Sequence, residues 1–79
     1  MERRSLDRLM EGEGGRLTLF GATALPTWVG ELGWSEGCRI WCVRKWNDGG
    51  PYAFRSEGVT VALRRQQAAE LYVWVSERS

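Results

Sequence analysis

The stretch YAFRSEGVTVALRRQQAAELYVWV (residues 52–75) decides the fold. Within it Val59, Val61 and Leu63 alternate with Thr60 and Ala62. That two-residue period sends one set of side chains to one face of a strand. YAFRS (52–56) reads as the strand before it, with Gly58 turning the chain between the two. RRQQAAE (64–70) consists of helix formers, enough for one or two turns. LYVWV (71–75) is again a strand, with Leu71, Val73 and Val75 on one face and Tyr72 and Trp74 on the other.

Upstream, NDGGP (47–51) is turn chemistry, and a strand is expected from Cys38 to Trp46. ATALPTWVGELGWSEG (22–37) places Leu25, Trp28, Val29 and Leu32 at the i, i+3, i+4, i+7 spacing of a short amphipathic helix. Pro26 suits its first turn and Gly33 its C-terminal stop, while Gly30 weakens it by about 1 kcal/mol relative to alanine. Trp28 and Trp34 flank this helix and are expected to seal it to the sheet. GEGGRLTLFG (12–21) reads as a glycine-rich turn leading into a strand with Leu17 and Leu19 on one face. Residues 1–11 carry Leu6, Leu9 and Met10 at helix-like spacing, and read as an N-terminal arm or a short packed turn. Residues 77–79 are expected to fray. The expected architecture is mainly β: a small closed barrel of about five strands over 12–76. One short helix follows the first strand and a helical turn precedes the last. An open sheet would leave edges that so short a chain can ill protect.

Seventy-nine residues make one small domain, which buries only about 60% of its unfolded surface. The formal charge of +1 gives no bulk pull toward nucleic acid or an anionic membrane. No apolar run approaches the roughly 20 residues of a membrane span, and Met1-Glu-Arg-Arg-Ser leads into no secretory signal. Cytoplasmic residence is the resulting expectation. There is no histidine, so the commonest metal ligand and the commonest general base are both missing. The glycines form no phosphate loop, and no constellation for chemistry stands out. No enzyme activity, cofactor or metal site is expected.

Cys38 and Cys42 lie four apart in an expected strand, which sets their Cα atoms roughly 13 Å apart. A disulfide needs about 7 Å or less, and two thiolates on one zinc must also come closer. Cys42 therefore reads as a small core residue. Trp41 alternates with Ile40 and Cys42 and so points outward, as do Tyr72 and Trp74. Large outward aromatics are typical interface anchors, unless the N-terminal segment or the helix covers them.

Three pieces in order, LGWSEGCRIWCV (32–43), GGP (49–51) and VALRRQQAAELYV (61–73), resemble the FeoA family of ferrous iron transport proteins A. Its members look like LGL-x-PG-x-x-V-x-V, a GDP-type turn, then LxLRR-x-x-A-x-x-I-x-V. The resemblance implies an SH3-like β-barrel in the cytoplasm, acting without catalysis beside FeoB, the membrane Fe²⁺ transporter with a GTPase domain. The family's Leu-Arg-Arg segment falls on Leu63, Arg64, Arg65 and Ala68. Departures are Trp34 for the usual Leu, Ser35-Glu36 for the proline turn, Gly50 for Asp, Ser56 for an apolar residue and Trp41 for a polar one.

The first functional expectation is an accessory or regulatory protein of ferrous iron uptake. Its expected docking surface for the cytoplasmic GTPase region of FeoB is Trp41, Tyr72, Trp74, Arg64 and Arg65. The plain alternative for Arg64 and Arg65 is pairing with Glu70, Glu57 or Asp48, contributing no more than ~1 kcal/mol each. A second expectation is an SH3-like or AbrB-like transcription-associated module that binds DNA or a regulator. SH3-like barrels also occur as C-terminal domains of iron-dependent repressors. The near-neutral charge argues against nucleic acid as partner. A third is weak homo-oligomerisation through Trp41, Tyr72 and Trp74; membrane insertion is not expected.

Overall fold

Glu57 and Gly58 both take left-handed backbone, with φ of 51° and 82°. They thereby close a two-residue hairpin whose twist matches its strands. In the computed structural model, which describes residues 2–18 and 26–78, that hairpin joins two strands at the positions the sequence assigns them. The elements are β1 (Glu2–Ser5), a 3-10 turn (Leu6–Arg8), β2 (Glu13–Thr18), α1 (Thr27–Glu31), β3 (Arg39–Lys45), β4 (Tyr52–Ser56), β5 (Val59–Leu63), α2 (Arg65–Ala69) and β6 (Tyr72–Arg78). All neighbours are antiparallel, in the order β1-β6-β2-β3-β4-β5. The sheet wraps one core, in which Leu6, Leu9, Leu17, Val29, Ile40, Cys42, Phe54, Leu71 and Val73 are buried outright. Trp34 is buried with them, and Trp28 packs against the same cluster, as expected.

Among the described residues six strands form, one more than the five or so expected. The added one lies in residues 1–11, where β1 pairs along β6 from Glu2↔Val75 to Ser5↔Tyr72. Two local forces hold this segment. Arg4 donates to Glu13 Oε1 at 2.6 Å and to Glu2 Oε1 at 2.7 Å, with Glu13 almost fully buried. Leu6 and Leu9 then turn inward, and Lys45 Nζ donates to the carbonyls of Asp7 and Leu9, both at 3.0 Å. The C-terminus also runs on: β6 pairs with β2 as far as Arg78↔Glu13, so residues 77 and 78 are strand where fraying was expected. Nor, among the described residues, is the barrel closed by a complete ladder. β1 and β5 are the two ends of the strand order, and α2 packs against the 3-10 turn beside the opening, where the Leu6 N–H donates to the Leu71 carbonyl at 2.9 Å.

Helix α1 is a single turn and a half. It ends where Gly33 takes φ of 82°, with Gly33 N–H bonding Gly30 O and Trp34 N–H bonding Val29 O. This double bond pattern is the Schellman stop, and it delivers Trp34 into the core. Leu19 and Leu25, also expected inward, lie outside the described residues. Cys38 precedes β3 and Trp46 follows it, trimming one residue from each end of the expected strand.

The glycine pair Gly14-Gly15, expected in a turn, lies inside β2 at a bulge. Its reason is space. A Cβ on Gly15 would overlap the Trp74 carbonyl of β6, and one on Gly14 would lie 2.5 Å from Trp41 Cδ1. Gly30 in α1 is the opposite case, with nothing near its missing Cβ. Gly15→Ala is therefore expected to destabilise the fold by about 3 kcal/mol. Gly30→Ala is expected to stabilise it by about 0.5–1 kcal/mol. Urea unfolding followed by tryptophan fluorescence measures both, and a silent Gly15→Ala would contradict the close approach.

Candidate partner-binding surface

Antiparallel register sorts the outward side chains of the sheet into rows. One row crosses four strands as Arg3 (β1), Trp74 (β6), Arg16 (β2) and Arg39 (β3). The next runs from Gly14 through Trp41 (β3) and Arg55 (β4) to Thr60 (β5). On the other side of the first, Tyr72 lies between Ser5 and Thr18. Three aromatics and four arginines thus share one face.

The expected outward aromatics are on this face but are half-buried, not bare. Trp41 lies across Gly14, whose lack of a side chain gives the ring its seat. Arginines roof the rings: the Arg39 guanidinium carbon is 4.9 Å from the Trp41 ring centre, and that of Arg3 is 4.8 Å from the Tyr72 ring centre. Such cation–π contacts contribute about 0.5–1 kcal/mol at exposed sites and hold each guanidinium plane in place. The N-terminal strand, by supplying Arg3, covers part of the patch. A shallow hollow of about 320 Å³ opens among Arg16, Gly37, Cys38, Arg39, Trp41 and Glu57, and Arg16 Nη1 donates to the Gly37 carbonyl at its floor, at 3.1 Å.

Arg64 and Arg65 are not on that face. They line a separate groove with Gly49, Pro51 and Gln66. Arg64 precedes α2, and its N–H donates to Gln67 Oε1 at 3.0 Å, tying down the first turn. Arg65 lies 5.5 Å from the Tyr52 ring centre, and Lys45 lies 4.7 Å from the same centre. The five residues singled out in the sequence therefore fall into two groups. Sequence reading overlooked Arg3, Arg16, Arg39 and Arg55, although the alternation that placed Trp41 and Trp74 outward places these with them. It also left unmarked the exposed large apolar side chains among the described residues, Met10, Val43, Trp46 and Val59.

Among the described residues, no three His, Cys, Asp or Glu side chains come together to hold a metal ion, and no helix is long and apolar enough to cross a membrane. No protein-family model matches the chain, and no curated protein matches it in sequence. Its fold is nonetheless shared with solved structures. A FeoA-like protein from Clostridium acetobutylicum superposes with a TM-score of 0.81 at 19% identity, over 100% of this chain and 93% of that one. FeoA of Stenotrophomonas maltophilia, solved with zinc and put forward as an SH3 domain protein activating ferrous iron transport, gives 0.74 at 21% identity, over 96% and 99%. A manganese-dependent transcriptional repressor in complex with manganese gives 0.79 at 18% identity; 96% of this chain corresponds to 38% of that one. The architecture is the SH3-like one that the sequence resemblance implies.

Both cysteines are free, with Cys42 buried and Cys38 half-exposed. Burial pushes the Cys42 thiol up to about 11 from 9.0, against a smaller downward pull from the Lys45 charge. The folded state thus holds this proton more tightly than the unfolded state. The stability it contributes is complete below pH 9 and is lost as pH rises through 11. Urea midpoints measured from pH 7 to 10.5 are expected to fall more steeply in the native protein than in Cys42→Ala. Equal slopes would mean that Cys42 ionises in the folded state as it does in the unfolded one.

Proposed function

We propose that this chain is an FeoA-type accessory protein of ferrous iron uptake. It works in the cytoplasm by docking on the cytoplasmic GTPase region of a FeoB-type transporter. One observation carries the reading: the LGWSEGCRIWCV, GGP and VALRRQQAAELYV pieces that resemble FeoA all fall on the same barrel, which aligns end to end with two FeoA-type structures. Binding rather than catalysis fits a chain without histidine in which Trp41, Tyr72 and Trp74 share one sheet face. Iron is then the transporter's cargo, and this protein acts on the carrier. A small rigid sheet face suits that role, because such a surface can bias a nucleotide-dependent domain toward one of its states by differential contact alone.

The repressor likeness supports a second reading, a regulatory barrel within or beside a DNA-binding system. The row of arginines would serve it. The arginines lying over Trp41 and Tyr72 weigh against it, since base stacking needs open aromatic faces.

Titration calorimetry with the cytoplasmic domain of the FeoB-type transporter from the same organism tests the first reading. Micromolar binding is expected. Trp74→Ala and Tyr72→Ala should each weaken it about tenfold, or roughly 1.4 kcal/mol, with thermal melts confirming folded variants. Absence of any heat or co-migration with that domain, at concentrations up to 100-fold above about 1 μM, would overturn it.

A further inference from the structure

The two ends of the strand order, β1 and β5, are unlike. β1 is Glu-Arg-Arg-Ser, a charged border of the kind that discourages further pairing. β5 is Val-Thr-Val-Ala-Leu, with Val59, Thr60 and Ala62 exposed. The hairpin at Glu57-Gly58 decides which backbone groups of β5 are already bonded. In a two-residue hairpin the flanking pair, here Ser56 and Val59, exchanges both its hydrogen bonds, and bonded pairs then alternate along the ladder. Val59, Val61 and Leu63 therefore bond to β4, and the N–H and C=O groups of Thr60 and Ala62 point off the sheet. Among the described residues no turn, loop or cap bond reaches those groups. An outward donor and acceptor at every second residue are what an added strand requires.

The flanks of β5 select which strand that is. Glu57 precedes it and Arg64 follows it, both exposed and neither in a salt bridge among the described residues. Laid antiparallel on itself, β5 brings these opposite charges together at both ends. With Val61 opposite Val61 of a second copy, Thr60 faces Ala62, and Arg64 stands level with Gly58, beside Glu57. Parallel pairing would instead set Arg64 against Arg64, and like charges directly opposite destabilise a sheet. Shifted antiparallel registers lose bonds. Thr60 opposite Thr60 sets Ala62 against Gly58, inside the turn. Ala62 opposite Ala62 sets Thr60 against Arg64, whose N–H already donates to Gln67 Oε1 at 3.0 Å. Only the register centred on Val61 pairs Thr60 and Ala62 of both copies with each other. A strand of unrelated sequence meets Arg64 as a bare charge, whereas a second copy meets it with Glu57.

We infer that the chain forms a two-fold dimer by antiparallel pairing of β5 with β5 of a second copy, centred on Val61 and held at both ends by Arg64 and Glu57. The contact is isologous and closed, since each copy's β5 edge is used once. It joins two six-stranded sheets into one. Trp41, Tyr72 and Trp74 lie on other strands and take no part, so the inference is independent of the transporter-docking reading and goes beyond it.

Sedimentation equilibrium on the full chain, from about 20 μM to about 1 mM, is expected to show a monomer–dimer equilibrium with a Kd of about 100–200 μM, as suits a small edge contact. Over the same range the Thr60 and Ala62 amide signals should move most. A mixture of carbon-labelled and unlabelled chain should give a cross-peak between the Val61 Hα protons of two copies, which a non-hydrogen-bonded antiparallel pair holds close. Ala62→Pro removes an outward N–H at an edge position that tolerates proline, and should weaken dimerisation about tenfold. Glu57→Lys and Arg64→Glu should each weaken it about threefold, and the double variant should return to within about twofold of the native value. Trp74→Ala should leave it within about twofold. Signal dispersion verifies folding, and the charge variants decide the matter should the proline variant not fold. The inference is overturned by a chain still monomeric at about 1 mM, by a dimer indifferent to a folded Ala62→Pro, by a double charge variant no tighter than the single ones, or by a dimer lost in Trp74→Ala. None of these results bears on binding of the transporter domain, which is measured separately.

Discussion

The structure depends on how closely β6 can lie against β2. β2 is bonded on both sides, to β3 and to β6, and at the bulge between Gly14 and Gly15 it has no side chain to hold either neighbour off. The Trp74 carbonyl occupies the space where a Cβ of Gly15 would be, while Trp41 occupies the space above Gly14. One glycine therefore sets the inter-strand approach and the other seats an outward ring. Everything on the outer face inherits its position from that pair, including the row in which Trp74, Arg16 and Arg39 stand side by side. A bulge at the middle of a small sheet also increases its local twist, which curls six short strands around one core.

Much of this was legible in the residues. β4 and β5 fall where alternation and the Glu57-Gly58 turn put them, and Leu71, Val73 and Val75 face inward as a period of two requires. Gly33 and the core placement of Cys42 were equally readable, because one is a backbone constraint and the other a spacing argument. The N-terminal strand was not. Glu2, Arg3 and Arg4 have no apolar alternation, and they form a strand because β6 offers an edge and Glu13, nine residues from Arg4, offers a carboxylate. That is a tertiary reason with no local signature. Gly14-Gly15 misled for a related cause: glycines chosen for close approach look the same in sequence as glycines chosen for a turn.

The candidate surface shows the same division. Alternation was enough to send Trp41, Tyr72 and Trp74 outward, and it would have sent Arg16, Arg39 and Arg55 with them had charge been followed strand by strand rather than summed. Summed charge says nothing of where each group stands: Glu13 is held by Arg4, Glu11 accepts from the backbone of Lys45, and Glu57 lines the hollow beside Arg16. Arg64 and Arg65 were singled out on a motif, and the fold gives each a local contact. The backbone N–H of one donates to Gln67 at the start of α2, and the guanidinium of the other lies over Tyr52.

β5 ends the strand order with Val-Thr-Val-Ala-Leu, a run without charge, proline or bulge, and Val59 in it is 58% exposed. Such a border invites a foreign strand to extend the ladder, and small proteins usually guard against this with nearby positive charge. Arg64 and Arg65 stand immediately after it. The pair that the motif singles out thus stands where guarding charges of this kind belong, at the border most open to a foreign strand.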